Sequence, residues 1–197
     1  MKRVLIVCIV TAICISQGMY AQKASNWALK TNILSDAFLN PNIGLEVGLA
    51  PKWTIEVDGQ LNFWTLSNNR RWKHWCVQPE ARYWFCDRFA GHFVGVHVHG
   101  GQYNVGGIDV NANLLGTDYR KIKDTRYQGW FVGAGLAYGY AFILGRHWNL
   151  EPEIGFGYSY TMYDRFRCAG CGKRIETGVP NHYLGFTKLA INLVYLF

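Results

Sequence analysis

The stretch Trp148 to Tyr163, WNLEPEIGFGYSYTMY, constrains this chain more than any other. Alternate positions put Trp148, Leu150, Pro152, Ile154, Phe156, Tyr158, Tyr160 and Met162 on one side. Asn149, Glu151, Glu153, Gly155, Gly157, Ser159 and Thr161 fall on the other. A period of two is the geometry of a strand whose faces meet unlike surroundings. The greasy face looks either into a core or out into lipid, and the rest of the chain has to decide between them.

The same pattern recurs from end to end. Runs of alternating character cover Ser25 to Leu34, Asn42 to Leu49, Trp53 to Phe63, His74 to Phe85, Phe93 to His99, Tyr127 to Leu144, Trp148 to Tyr163 and Tyr183 to Phe197. In the last of these Tyr183, Gly185, Thr187, Leu189, Ile191, Leu193, Tyr195 and Phe197 are expected to share a face. Connections after the second, fourth and sixth runs are a few residues long. The polar, Gly/Asn-rich segments Gln102 to Arg126 and Asp164 to His182 read as long loops. Eight strands with short turns at one end and long loops at the other match the asymmetry of bacterial outer-membrane barrels.

Ahead of the first run, MKRVLIVCIVTAICISQGMYAQ has the layout of a secretory signal peptide. Lys2 and Arg3 start it, Val4 to Ile15 are apolar, and a small-residue site ends at Ala21. The expected organisation is therefore a signal peptide over 1–21 and one domain over 22–197. A lipid anchor on Cys14 would need a small residue before it, and Ile13 stands there. Losing the leader lowers the formal net charge of +7 by two. The remaining basic residues are scattered, which argues against nucleic acid as a partner.

Two eight-stranded solutions compete, a soluble barrel greasy inside and a membrane barrel greasy outside. In the sixth run the side opposite the large residues is almost entirely Gly and Ala. That suits a cramped interior and would be odd against water. Trp53, Tyr140, Phe142, Trp148, Tyr195 and Phe197 gather toward the short-turn end, and Phe63, Trp75, Trp130, Tyr158, Tyr160 and Tyr183 toward the long-loop end. Two aromatic belts are what the two bilayer interfaces select. The expected fold is an all-β, eight-stranded antiparallel up-and-down transmembrane β-barrel in the cell outer membrane, with periplasmic termini and extracellular long loops. Tyr195 and Phe197, flush with the chain end, fit the signal read by barrel assembly machinery.

The segments WKHWCVQPEARYWFCDRFAGHFVGVHVHGGQYNVGG, RYQGWFVGAGLAYGYAFILGRHWNLEPEIGFGYSY, CAGCG and the ending TKLAINLVYLF resemble a family common in the Bacteroidetes, domain of unknown function 3575. The likeness runs from about Ala28 to Phe197. It implies an outer-membrane barrel, and it brings no catalytic residues with it. The likeness to small OmpA and OmpX barrels is one of architecture, which does not give function.

Within such a barrel Lys30, Glu46, Glu56, Asp58, Glu80, Arg82, Glu151, Glu153 and Lys188 are expected to face inward as a structural charge network, since buried charges need partners of the opposite sign. His97 and His99 share that face with His74. Imidazoles suit zinc or copper, but no Cys or acid stands at a ligand spacing, so neither metal nor cofactor is expected. Cys168 and Cys171, in CAGCG, read as a loop staple rather than a zinc knuckle, because no second CxxC supplies two more ligands. Cys76 and Cys86 sit ten positions apart on one run, roughly 33 Å at 3.3 Å per residue, too far to pair.

Tyr103, Tyr119, Arg120, Tyr163, Arg165, Phe166 and Arg167 give the long loops the aromatic and basic mix common at recognition surfaces. The functional expectation is a non-enzymatic structural or binding barrel, with membrane lipid, lipopolysaccharide and an envelope or surface protein as partners. A different class, a small barrel enzyme modifying lipid A or phospholipid, would need a nucleophile and base. Ser159 and Thr161 face inward and His182 falls in a loop, with no triad arrangement evident.

Overall fold

The computed structural model describes residues 25–66, 70–107, 113–114, 117–118, 125–167 and 172–197. Eight antiparallel strands succeed one another: β1 (Trp27–Asn32), β2 (Asn42–Ala50), β3 (Trp53–Asn62), β4 (Arg70–Trp84), β5 (Gly91–Gly106), β6 (Arg126–Ile143), β7 (Trp148–Phe166) and β8 (Arg174–Leu196). Each pairs with the next, and β1 pairs with β8, so the sheet closes into a ring. Closure leaves the lower part of the sheet without an edge. Thr65–Leu66 extend the β3–β4 hairpin, and Asn113–Leu114 pair with Thr117–Asp118 between β5 and β6.

The distribution of burial is inverted relative to a water-soluble core. Buried side chains include Lys30, Glu46, Glu56, Glu80, Arg82, Glu151, Glu153 and Lys188. Outward-facing Leu136, Leu189 and Val96 are 67%, 61% and 59% exposed. At the short-turn end the interior is apolar, where Ala28, Trp84, Phe89, Phe93, Ala141, Val194 and Leu196 form a floor. Phe89 takes a left-handed backbone (φ 65°) in the β4–β5 turn. Its ring lies 5.9 Å from Trp84, and its carbonyl accepts a 2.7 Å hydrogen bond from Asn149 Nδ2.

Glycines on β5 to β7 make room for inward side chains of β4, β5 and β8. A Cβ on Gly135 would lie 2.7 Å from His97 Nε2, 2.7 Å from Thr187 Oγ1 and 2.8 Å from the Phe156 carbonyl. Gly135→Ala is therefore expected to destabilise the ring by roughly 1–3 kcal/mol through overpacking, read as a lower urea midpoint. An unchanged midpoint would mean that the interior is looser than these distances.

Four expectations change. The run Ser25 to Leu34 is not one strand. β1 ends at Asn32 and a one-turn helix, α1 (Ile33–Ala37), follows, because the Asn32 side chain accepts from the Leu34 N–H and Thr31 Oγ1 donates to Asp36 Oδ2 at 2.7 Å. The segment Asp164 to His182 is not one loop, since β7 continues to Phe166 and β8 begins at Arg174. Gln102 to Arg126 is shortened in the same way, with β5 reaching Gly106. Both strand extensions rise above the ring's apolar band, where the two faces no longer differ in polarity and the alternation that marks a strand fades. Finally, β8 carries a bulge: Gly155 pairs with Lys188 but Phe156 with Phe186. The extra residue flips the pattern, so Leu184 and Phe186 point out while Gly185 and Thr187 point in.

Candidate functional site

All nine charged residues expected inside meet in one network. Arg82 on β4 is its hub. Its Nε lies 2.7 Å from Glu80, Nη2 2.7 Å from Glu153, and Nη1 2.9 Å from Glu46 and 3.3 Å from Glu151; it also pairs with Glu56. The Arg82 guanidinium stands 4.5 Å over the Phe93 ring. Lys30 Nζ reaches Glu151 at 2.6 Å and Glu56 at 3.1 Å, and pairs with Glu46. Lys188 Nζ, from the far wall, reaches Glu80 at 2.9 Å, Glu153 at 3.1 Å, Asp58 at 3.3 Å and Glu56 at 3.5 Å.

Strand register explains the crowding. Glu46, Glu56 and Glu80 are directly opposed on β2, β3 and β4, and His97 follows on β5. Like charges side by side repel, so cations must enter from elsewhere on the ring. Even so, six carboxylates face three cations. Glu46 Oε1 and Glu151 Oε1 have no hydrogen-bond partner among the described residues.

Two hydroxyl–imidazole contacts lie above the hub. Ser159 Oγ is 2.6 Å from His99 Nε2, and Thr187 Oγ1 is 2.9 Å from His97 Nε2. The sequence placed His97, His99 and Ser159 on inward faces but Thr187 on the opposite one, and it did not show that they meet, because Ser159 and Thr187 lie far from the histidines along the chain. His99 Nδ1 has no partner among the described residues, and His97 Nδ1 is 3.6 Å from Glu80, which already serves Arg82 and Lys188. His182 lies on β8 rather than in a loop, with its Nδ1 2.5 Å from the Tyr158 hydroxyl. Among the described residues no group of three or more His, Cys, Asp or Glu is arranged to hold a metal.

Beyond the polar interior, at the long-loop end, the taller strands enclose a cup of about 560 Å³. Tyr103, Tyr163 and Phe166 line it. These loop candidates stand on strands, at the tops of β5 and β7. Arg165 is tied to Glu176 at 2.8 Å, and Arg167 is exposed. Tyr119, Arg120, Cys168, Cys171 and the expected signal peptide lie outside the described residues. Cys76 is a free thiol and Cys86 takes part in a disulfide, so the two do not pair. At the other end Tyr195 contacts Trp148 at 4.9 Å and Phe197 at 5.3 Å.

The contacts that tie the segment after α1 to β3 and β4 were not legible in the sequence. Asn62 Nδ2 donates to the Leu39 carbonyl at 3.2 Å and also bonds Asn40, and Trp72 Nε1 donates to Asn40 Oδ1 at 3.1 Å. Asn32 followed by Asp36 is a helix-start signal, but the strand alternation around it conceals it.

These features define a class: a closed, all-antiparallel eight-stranded sheet with an ionic interior and an apolar exterior. Over residues 5–197 the chain matches the family described as "Protein of unknown function (DUF3575)" and belongs to it. Comparison with curated proteins and with solved structures gave no match.

Proposed function

We propose that this protein is a β-barrel of the cell outer membrane, exported by a signal peptide, that acts without catalysis as a structural or binding element through its long-loop end. The observation that carries this reading is the outward apolar band. An exposed greasy surface wrapping an entire ring far exceeds the patches that water-soluble proteins tolerate. Among the described residues, the outward positions between the two aromatic belts include no Asp, Glu, Lys or Arg. Each belt contains ring contacts, Trp53 with Tyr83 at 5.1 Å and Trp130 with Tyr160 at 5.7 Å. No helix among the described residues is long and apolar enough to cross a membrane, so strands would make the crossing. In this setting Tyr195 and Phe197 would serve assembly machinery, and lipid and lipopolysaccharide would surround the ring.

The lipid-modifying enzyme is favoured by one observation, the Ser159–His99 contact. Against it, His99 Nδ1 has no partner among the described residues to orient the ring, and both groups are buried on the inward face, away from the lipid that would be the substrate. The contact serves instead to satisfy buried polar atoms.

The orientation is tested with an epitope inserted at Thr117. Antibody should label intact cells. Labelling that appears only after lysis would reverse the placement of the long-loop end.

A further inference from the structure

The outer wall above the upper belt is basic on one side only, and we propose that there the tops of β4 to β8 dock the phosphate of an anionic outer-leaflet lipid, an inference that rests on the membrane reading. Directly opposed residues share a face. Trp75 and Trp130, 42% and 41% exposed, mark the outward one, and Gln102 stands between them in register, its Oε1 accepting from Trp75 Nε1 at 3.4 Å. Two residues further up, the outward row is Lys73, Asn104, Gln128 and Asp164 on β4 to β7. Two further still, it is Arg71, Gly106, Arg126, Phe166 and Arg174 on β4 to β8. Each row is a step of about 7 Å along a strand. Arg71, Lys73, Arg126 and Arg174 therefore stand one or two steps beyond the belt, in the layer that lipid headgroups occupy.

A rim that only kept the protein soluble would be charged all round. The tops of β1 to β3, residues 31–42 and 59–66, contain no Lys or Arg. In the two basic rows the acid is Asp164, which stands 3.6 Å from Arg174 Nη1, accepts from the Gly178 N–H at 2.9 Å and lies three strands from Lys73. The Arg126 guanidinium stands 4.1 Å over the Phe166 ring, with Arg174 5.7 Å from the same ring. Such contacts use the face of the aromatic ring and not the N–H donors, and clustered guanidinium donors suit phosphate oxygens. Beneath the belt the same wall offers a track for an acyl chain. Gly100 on β5 is flanked in register by Val77 and Val132, 43% and 49% exposed. A Cβ there would meet only the Phe131 carbonyl oxygen, at 3.5 Å, so the strip over it is open. A lipid lying along β5 thus meets charge, amide and apolar surface in the order of its own parts, which free phosphate would not require.

The test uses the protein inserted into phosphatidylcholine bilayers, with vesicle flotation as the check on the membrane reading. Native mass spectrometry from phosphatidylcholine nanodiscs then measures retention of lipid A carrying its phosphates and of the same lipid A stripped of them. The phosphorylated form should be held at least about tenfold more tightly, some 1.4 kcal/mol, and inorganic phosphate at equal concentration should not displace it. Lys73→Gln and Arg126→Gln should each remove most of that preference. Gly100→Leu, which fills the strip and leaves the cations in place, should weaken retention as well, whereas Arg146→Gln at the short-turn end should not. An inserted protein that retains both forms equally, that loses the lipid to inorganic phosphate, or whose Lys73 and Arg126 variants bind as the parent does overturns the inference and leaves the membrane reading standing. A protein that floats with no vesicle overturns both.

Discussion

Leu136→Arg is expected to destabilise the protein by about 2–4 kcal/mol in a bilayer, the cost of an arginine on the lipid face near the membrane midplane. Leu136 is 67% exposed and lies on β6 midway between Trp130 of one belt and Phe142 of the other. Its directly opposed neighbours, Val96 and Phe156, are exposed and apolar as well, so nothing nearby would compensate the charge. Were this face in water, an arginine there would be neutral or helpful, because surface substitutions away from special features move stability little. The two readings thus predict opposite results for one substitution. Urea titration of protein refolded into phosphocholine vesicles measures it, with Thr177→Arg, above the upper belt, as the comparison. Equal stability of Leu136→Arg and the parent would remove the membrane proposal.

Arg82→Met should prevent the ring from forming. Breaking a buried ion pair by deleting one partner costs about 3–5 kcal/mol, and Arg82 serves five carboxylates at once. Lysine is no rescue, since a single ammonium cannot reproduce the fork that reaches Glu80 through Nε and Glu153 through Nη2. Because acids outnumber cations, the reverse change is milder: Glu151→Gln removes one excess negative charge and keeps a group that accepts from Lys30. The folded fraction on unheated gels should therefore fall far more for Arg82→Met than for Glu151→Gln. Equal losses would show that the acid excess has no energetic weight.

The sequence made the strands legible wherever an apolar outer face and a polar interior contrast, as in Trp148 to Met162. Legibility failed where that contrast ends. Arg174 to Asn181 belong to β8 although their faces look alike, and nothing local announces that Thr187 is the bulged residue. The ionic partners could be named from inward parity alone, because a sealed interior forces opposite charges together. Which acids touch which cations depends on how the ring is staggered, and a list of runs does not contain that. The cup was hidden for a related reason: Tyr103 and Tyr163 looked like loop residues until strand extension placed Gly129 between them.

The meeting of β1 with β8 has a consequence for how such a ring could ever come together. The seam has five register pairs, from Ala28 with Leu196 to Asn32 with Asn192, against eighteen between β7 and β8. As a ladder it is, with the four pairs between β1 and β2, one of the two shortest joints and a natural site of local opening. It is spanned from within, however: Lys30 beside the seam reaches Glu151 on β7, and Lys188 on β8 crosses the lumen to Glu56 and Glu80 on β3 and β4. The Lys188 braces exist only after the final strand has arrived. Before that, the open sheet carries Lys30 on its β1 margin and Glu151 and Glu153 on its β7 margin, so the chain's own charges act as a clasp whose halves attract each other before the last segment locks them.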